Sequence, residues 1–208
     1  MATQSRPGSA PRSNGSWRPV DSPLGAAGSA EFRYAADMAV RRATVDDVPA
    51  IARVQVASWA GVYRGLMPDS IFDNVTLERR TEQWSRYFVN RPSASALLVA
   101  EDGGGVVVGM ASVGPNRDDD LMAEPVAELL AIYVEPEHWD QGYGRRLMIA
   151  CVAEMQLLGY DSATLWVLDA NERGIAFYEA GGWLADGSAK IDESFGEPIR
   201  EVRYRLDL

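Results

Sequence analysis

One cysteine, Cys151, and one histidine, His138, are all that 208 residues offer of the commonest zinc ligands. An internal disulfide framework, a Cys-rich zinc site and a multi-His centre are therefore excluded, and no metal is expected. Long apolar runs are missing too. None approaches the roughly 20 residues that cross a bilayer, and the first residues hold no apolar h-region, so no membrane partner is expected and the cytoplasm is the expected compartment. Lysine is almost absent: Lys190 is the one lysine among twenty basic residues, which thirty acidic residues outweigh to a net charge of −10. A general nucleic-acid binder would be basic, so nucleic acid is not an expected partner.

What is present is the composition of a folded, water-soluble chain, 47% hydrophobic and 24% charged. The length corresponds to about 1.4 domains of roughly 150 residues, one well-cored domain with an appendage. Residues 1–37 are rich in Ser, Gly, Pro and Ala with no apolar periodicity, and are expected to be a disordered extension; residues 38–208 are expected to be the domain. Arg6, Arg12, Arg18 and Arg33 oppose Asp21, Glu31 and Asp37 in the extension, so the acidity belongs to the domain.

From Met38 the punctuation is regular. MAVRRAT reads as a strand, and Thr44 with Asp47 three residues on resembles a capping box opening a helix through VPAIARVQVASWAGVY. TLERRTEQWSRYF places Leu77, Trp84 and Phe88 at helical spacing. SALLVAED, the glycines at 103–105 and VVVGMASV read as a β-hairpin. VAELLAIYV is apolar enough for a strand buried on both faces. A helix follows from about Gly142, then strand SATLWVL, helix ERGIAFYEAG, and IREVRYRLDL with Val202, Tyr204, Leu206 and Leu208 alternating onto one face. The order β-α-α-β-β-β-α-β-α-β-β is mixed α/β.

The segment richest in chemistry is LLAIYV, EPEHWDQ, GYGRRL. Free amides at a helix N-terminus attract anions, Gly142 and Gly144 allow close approach to the backbone, and Arg145 and Arg146 add charge where a pyrophosphate would sit. A Rossmann fingerprint would need glycine at Leu147 and a tighter turn after the strand, and a Walker A motif would need Gly-Lys-Ser/Thr. A helix start that uses glycine only for packing stays open.

The run AELLAIYVEPEHWDQGYGRRLM resembles the acetyl-CoA-binding segment of the GNAT superfamily of N-acetyltransferases, bacterial type, with Trp139 where Gln or Arg is usual. LWVLDANERGIAFYEAGGW is similar to the family's second signature, and SWAGVYRGLMPDSIF to its substrate-side helix and loop. The resemblance covers residues 38–208. It implies the GNAT fold, a central twisted, mostly antiparallel mixed sheet with flanking helices. It implies acetyl-CoA as cofactor, held by the backbone of Ile132, Tyr133 and Val134 and by the turn Gln141, Gly142, Tyr143, Gly144, Arg145 and Arg146. Glu128 is implied as the base that relieves the amine of its proton, Tyr178 as the acid that protonates the departing thiolate, and Asn171 as the residue that orients the pantetheine or that tyrosine. As plain chemistry, Glu128 also reads as a strand-end carboxylate, Tyr178 as a buried aromatic and Asn171 as a helix cap.

On the acceptor side Trp59, Tyr63 and Trp84 fall on helices that by resemblance wall the pocket, although core packing accounts for most such aromatics. Asp118, Asp119, Asp120 and Glu124 form an acidic loop able to steer a cationic acceptor, or simply a solvated one. Cys151 sits mid-helix among Met148, Val152 and Met155, so a core thiol is expected, with direct attack in a ternary complex and no acetyl-enzyme. His138 reads as an ordinary loop histidine. The expected activity is acetyl transfer from acetyl-CoA to a primary amine of a small molecule. A protein N-terminal or lysine acetyltransferase and a non-catalytic acyl-CoA-binding module are the alternatives. The alternation of IREVRYRLDL is compatible with an exposed edge that pairs two copies into a homodimer.

Overall fold

Eight strands form one sheet in the order β1-β2-β3-β4-β5-β6-β8-β7. The computed structural model describes residues 32–33, 38–193 and 198–208. The strands are β1 Phe32–Arg33, β2 Ala39–Arg42, β3 Ala96–Glu101, β4 Val107–Pro115, β5 Val126–Val134, β6 Ser162–Leu168, β7 Leu184–Asp192 and β8 Ile199–Asp207; the helices are α1 Val48–Val62, α2 Leu77–Val89, α3 Tyr143–Leu157 and α4 Glu172–Ala180. From β2 onward this is the expected element order. Phe32 and Arg33, inside the expected extension, pair with Val40 and Ala39; the rest of residues 1–37 lies outside the described residues.

Every neighbouring pair in the sheet is antiparallel except β5 and β6. That one parallel pair needs a crossover, which α3 supplies. α3 packs one face of the sheet through Leu147, Met148, Cys151 and Met155 onto Leu98, Ala111, Leu129 and Leu165. α1 and α2 cover the other face, where Ile51, Val54 and Trp84 meet Leu97, Val99 and Met110.

The β5 segment departs from the expected strand buried along both faces. Val113 pairs with Leu129 but Ser112 with Ala131, leaving Leu130 as an extra residue in the ladder. A bulge of this kind reverses the alternation of the side chains beyond it. Ala127 and Leu129 face the α3 core before the bulge, and Ile132 and Val134 face it afterwards. Tyr133 is thereby turned to the α1 side. Leu130 is left 38% exposed.

β8 lies between β6 and β7 and is not an edge, contrary to the pairing expected of its alternating sequence; the free edge at this end is β7. The alternation serves the core instead, with Val202, Tyr204, Leu206 and Leu208 all packed in the α3-side cluster.

The capping box at Thr44 is present and forms part of a larger lock. Asp47 Oδ2 accepts the Thr44 amide at 2.7 Å, while Arg41 donates to both Asp47 oxygens at 2.7 and 2.8 Å and to Glu101 at 2.6 Å. The guanidinium is the main reason that the Asp47 carboxyl sits below the usual carboxylate range. A depressed native pKa gives stability that is complete above the unfolded value, near pH 4, and is lost as the pH falls towards the native one. In acid titration of the fold, Asp47→Asn is expected to cost about 1–3 kcal/mol at neutral pH and to flatten the loss of stability below about pH 4. An acid limb as steep as that of the parent would place its origin elsewhere.

Candidate active site

β5 and β6 pair only through Val126, Ala127 and Glu128, opposite Ser162, Ala163 and Thr164. Beyond Glu128 the two strands part, and among the described residues the β6-facing edge of β5 has no neighbouring strand. A cavity of about 550 Å³ occupies the resulting cleft. Its walls are Ile132, Tyr133 and Val134 of β5; His138, Trp139 and Asp140 of the following loop; Gly142, Gly144 and Arg145; Asn171, Arg173, Gly174, Ala176, Phe177 and Tyr178; and Ser58, Val62 and Tyr63 of α1.

The α3 end of the cleft is the start of a helix. Gly142 is the residue before the helix, with φ +92°, a conformation that suits glycine, and a Cβ there would meet nothing within 4 Å. The space is open to a ligand. The amides of Tyr143 and Gly144 lie in the first turn, where a helix offers its donors no acceptor, while Arg146 bonds to the Gly142 carbonyl. Gly144 is small for a different reason, since a Cβ would lie 3.2 Å from the Phe177 ring. Trp139 Nε1 donates to the Val134 carbonyl at 2.7 Å, fixing the loop to the end of β5.

Arg173 stands 4.5 Å over the Trp139 ring and reaches Asp140 at 2.9 Å. The acid beside the anion turn is thus paired, and its side chain is 83% exposed. Arg173 is a cavity cation that sequence reading missed. Its signal was a basic residue in the first turn of a helix, where the dipole favours acids.

The other expected cofactor contacts divide. Arg145 lines the cavity and Arg146 does not. Gln141 points back to the Glu137 carbonyl at 2.9 Å, and Tyr143 is buried in the α3 core with its ring against His138. Asn171 caps α4, its Oδ1 accepting from the Gly174 amide at 2.9 Å, and also borders the cavity.

Tyr178 opens on the cavity, and its backbone carbonyl accepts from Gly181 and Trp183 while its phenol makes no hydrogen bond to the described residues. Burial pushes its phenol above the usual value, with lesser contributions from Tyr133 and Cys151. It therefore remains protonated at neutral pH. Burial raises the phenols of Tyr63 and Tyr133 as well. Cys151 is fully buried and its thiol is pushed up, as a core thiol should be. His138 borders the cavity with Nδ1 3.7 Å from Glu135.

Glu128 lies at the closed end of the cleft, at the last paired residue, and does not line the cavity. It is 2% exposed, and Arg117 holds both its oxygens at 2.6 and 2.9 Å. Of the acceptor-side aromatics only Tyr63 reaches the cavity. Trp59 stacks edge-on to it at 5.0 Å, and Trp84 is buried, donating to Gln55 at 2.8 Å. The acidic loop is largely committed: Arg203 is buried and binds Asp118 at 3.0 Å and Asp120 at 2.7 Å, and Arg205 reaches Glu124 at 3.3 Å. Glu201, which sequence reading did not single out, is a partly buried carboxylate raised mainly by that burial, with Lys190 at 3.4 Å.

Residues 59–183 match the model of the acetyltransferase (GNAT) family. The chain belongs to that family and is an acyltransferase by class. An uncharacterized N-acetyltransferase, YuaI of Bacillus subtilis (strain 168), is 32% identical over 141 residues, spanning 68% of this chain and 77% of that protein. PaiA N-acetyltransferase from Thermoplasma acidophilum, solved with coenzyme A, matches with a TM-score of 0.62 at 19% identity, covering 82% of this chain and 99% of that one. YncA from Salmonella typhimurium, solved with acetyl-CoA, matches with a TM-score of 0.60 at 23% identity over 82% and 94% of the two chains. These structures share the fold. Among the described residues no helix is long and apolar enough to cross a membrane.

If the α3 turn receives a pyrophosphate, Gly142→Ala should cost about 1–2 kcal/mol of stability, from its left-handed backbone, and weaken acetyl-CoA binding measured by calorimetry. Binding as tight as in the parent would remove the turn from the anion site.

Proposed function

We propose that the chain transfers an acetyl group from acetyl-CoA to the primary amine of a small molecule, by direct attack in a ternary complex. The observation that carries the reading is one continuous cleft, running from the open turn at Gly142 along the unpaired edge of β5 to the protonated, unbonded Tyr178. A peptide-like pantetheine arm matches that edge, where it adds as a strand through the backbone of Ile132, Tyr133 and Val134. Gly142, Gly144 and Arg145, with Arg173 opposite, receive the phosphates. The bound cofactor supplies an acetyl group activated as a thioester.

The residues then divide the work. As the amine nitrogen bonds to the acetyl carbon and the carbon–sulfur bond breaks, backbone amides of β5 face the developing negative charge on oxygen; one such donor is typically worth a factor of about 10²–10³ in rate. Tyr178 gives its proton to the thiolate. The amine loses its proton through water to Glu128, whose partner Arg117 approaches from solvent with 68% of its side chain exposed. Cys151, inside the α3 core, takes no acetyl group.

The roof over the acceptor end favours a small acceptor over an extended polypeptide. Between α1 and α2, Ile71 and Val75 pack on Trp59, Leu168 and Ile199, closing the sheet from above. Thiol release from acetyl-CoA across matched amine and peptide panels tests the reading. Release with peptides alone would transfer the activity to proteins, and tight acetyl-CoA binding with no release would leave a binding module. Tyr178→Phe is expected to lower kcat by about 10²–10⁴-fold with acetyl-CoA affinity unchanged. Glu128→Gln should lower kcat/KM without weakening acetyl-CoA binding, and a value within twofold of the parent would place the base elsewhere.

A further inference from the structure

The charges in the cavity wall are gathered on one side. Its ionisable groups other than phenols are His138 and Asp140 of the loop after β5, and Arg145 and Arg173 in the first turns of α3 and α4. The α1 side is different. It is made by Ser58, Val62 and Tyr63 together with Tyr133, which the bulge turns towards α1. None of these is charged at neutral pH, since burial holds both phenols above their usual value. The acids nearby are spoken for and stand outside the wall. Arg117 holds both oxygens of Glu128, Arg203 binds Asp118 and Asp120, and Lys190 lies 3.4 Å from Glu201. Arg80, over the Trp59 ring, is not in the wall either.

Ser58 is the most buried polar group on the α1 side. It is 2% exposed and borders the cavity. A serine inside a helix commonly turns its hydroxyl back on the carbonyl four residues earlier, as Ser85 does in α2 onto Thr81 at 2.8 Å. The Ser58 hydroxyl makes no hydrogen bond to the described residues. A buried hydroxyl on a cavity wall takes its partner from the cavity. It can donate one bond and accept two, enough to match a neutral polar group. It does not compensate an ammonium or carboxylate withdrawn from water, which needs an opposite charge.

We infer that the acceptor is a small amino alcohol, a primary amine whose body carries a hydroxyl bonded to Ser58 and no second charge. The inference rests on the acetyl-transfer reading above and narrows it, setting aside polyamines and amino acids. It also departs from the cationic acceptor that the acidic loop suggested, because those acids are consumed by Arg203. Val62 and Tyr63 cover the carbon chain, and the amine is directed to the β5 edge at Tyr133.

The test measures thiol release from acetyl-CoA with primary amines of equal chain length that end in a methyl, hydroxyl, ammonium or carboxylate group, over a series of lengths. At the length the site takes best, the hydroxyl-ended amine is expected to exceed the ammonium- and carboxylate-ended ones by about 10- to 100-fold in kcat/KM. Its advantage over the methyl-ended amine, about 3- to 10-fold, is expected to vanish in Ser58→Ala. Calorimetric acetyl-CoA binding confirms that the variant is folded, and the comparison of chain ends in the parent stands without it. A charged end used as well as the hydroxyl overturns the inference. So does a hydroxyl preference that survives Ser58→Ala, all the more if that variant binds acetyl-CoA more weakly, which would give the hydroxyl to the cofactor. No release with any member of the series overturns it too. Release with some other amine then leaves the acetyl-transfer reading intact, and no release with any acceptor removes both.

Discussion

The parting of β5 from β6 is the constraint on which the rest of the molecule depends. The two strands pair for three residues, up to Glu128 and Thr164. Past that point a row of backbone groups on β5 faces open space, a liability at an ordinary sheet edge and a binding surface when the ligand is itself peptide-like. The bulge at Leu130 prepares the separation. It turns Ile132 and Val134 into the α3 core and sends Tyr133 to the α1 face, so one strand anchors the sheet and borders both halves of the cleft.

The two ends of the cleft are held by different physics. At the α3 end, a left-handed glycine, the start of the helix and the cations Arg145 and Arg173 give positive potential without filling the space. At the closed end Arg117 clamps Glu128 bidentately, and the Arg203 cluster ties β8 and the β4–β5 loop to the Trp166 ring, 5.5 Å from its guanidinium. Arg203 is buried among several acids and its pKa is raised mainly by the Asp120 hydrogen bond. A network in which every member is satisfied holds this end of the sheet in one arrangement.

The net charge of −10 misleads as a guide to the ligand. Much of the acidity is consumed inside the fold by Arg41, Arg42, Arg117 and Arg203, each paired with carboxylates that hold one element against another. The cations that border the cavity are Arg145 and Arg173.

Local pattern determined the order of the elements, the Thr44–Asp47 box, the Gly142 turn, the core thiol of Cys151 and the capping role open to Asn171. Each depends on residues within a turn or two of one another, which a linear reading resolves. The bulge at Leu130 was invisible because it is a mismatch between two strands and carries no mark in either alone. The alternation of β8 was compatible with an edge because it reports which face is buried and says nothing of which strand lies alongside. Only the tertiary structure decided that Glu128 is clamped by Arg117, that Trp84 belongs to the core, and that Arg173 joins the cavity. Whether a charge is neutralised depends on which distant residue arrives beside it, and that is set by packing.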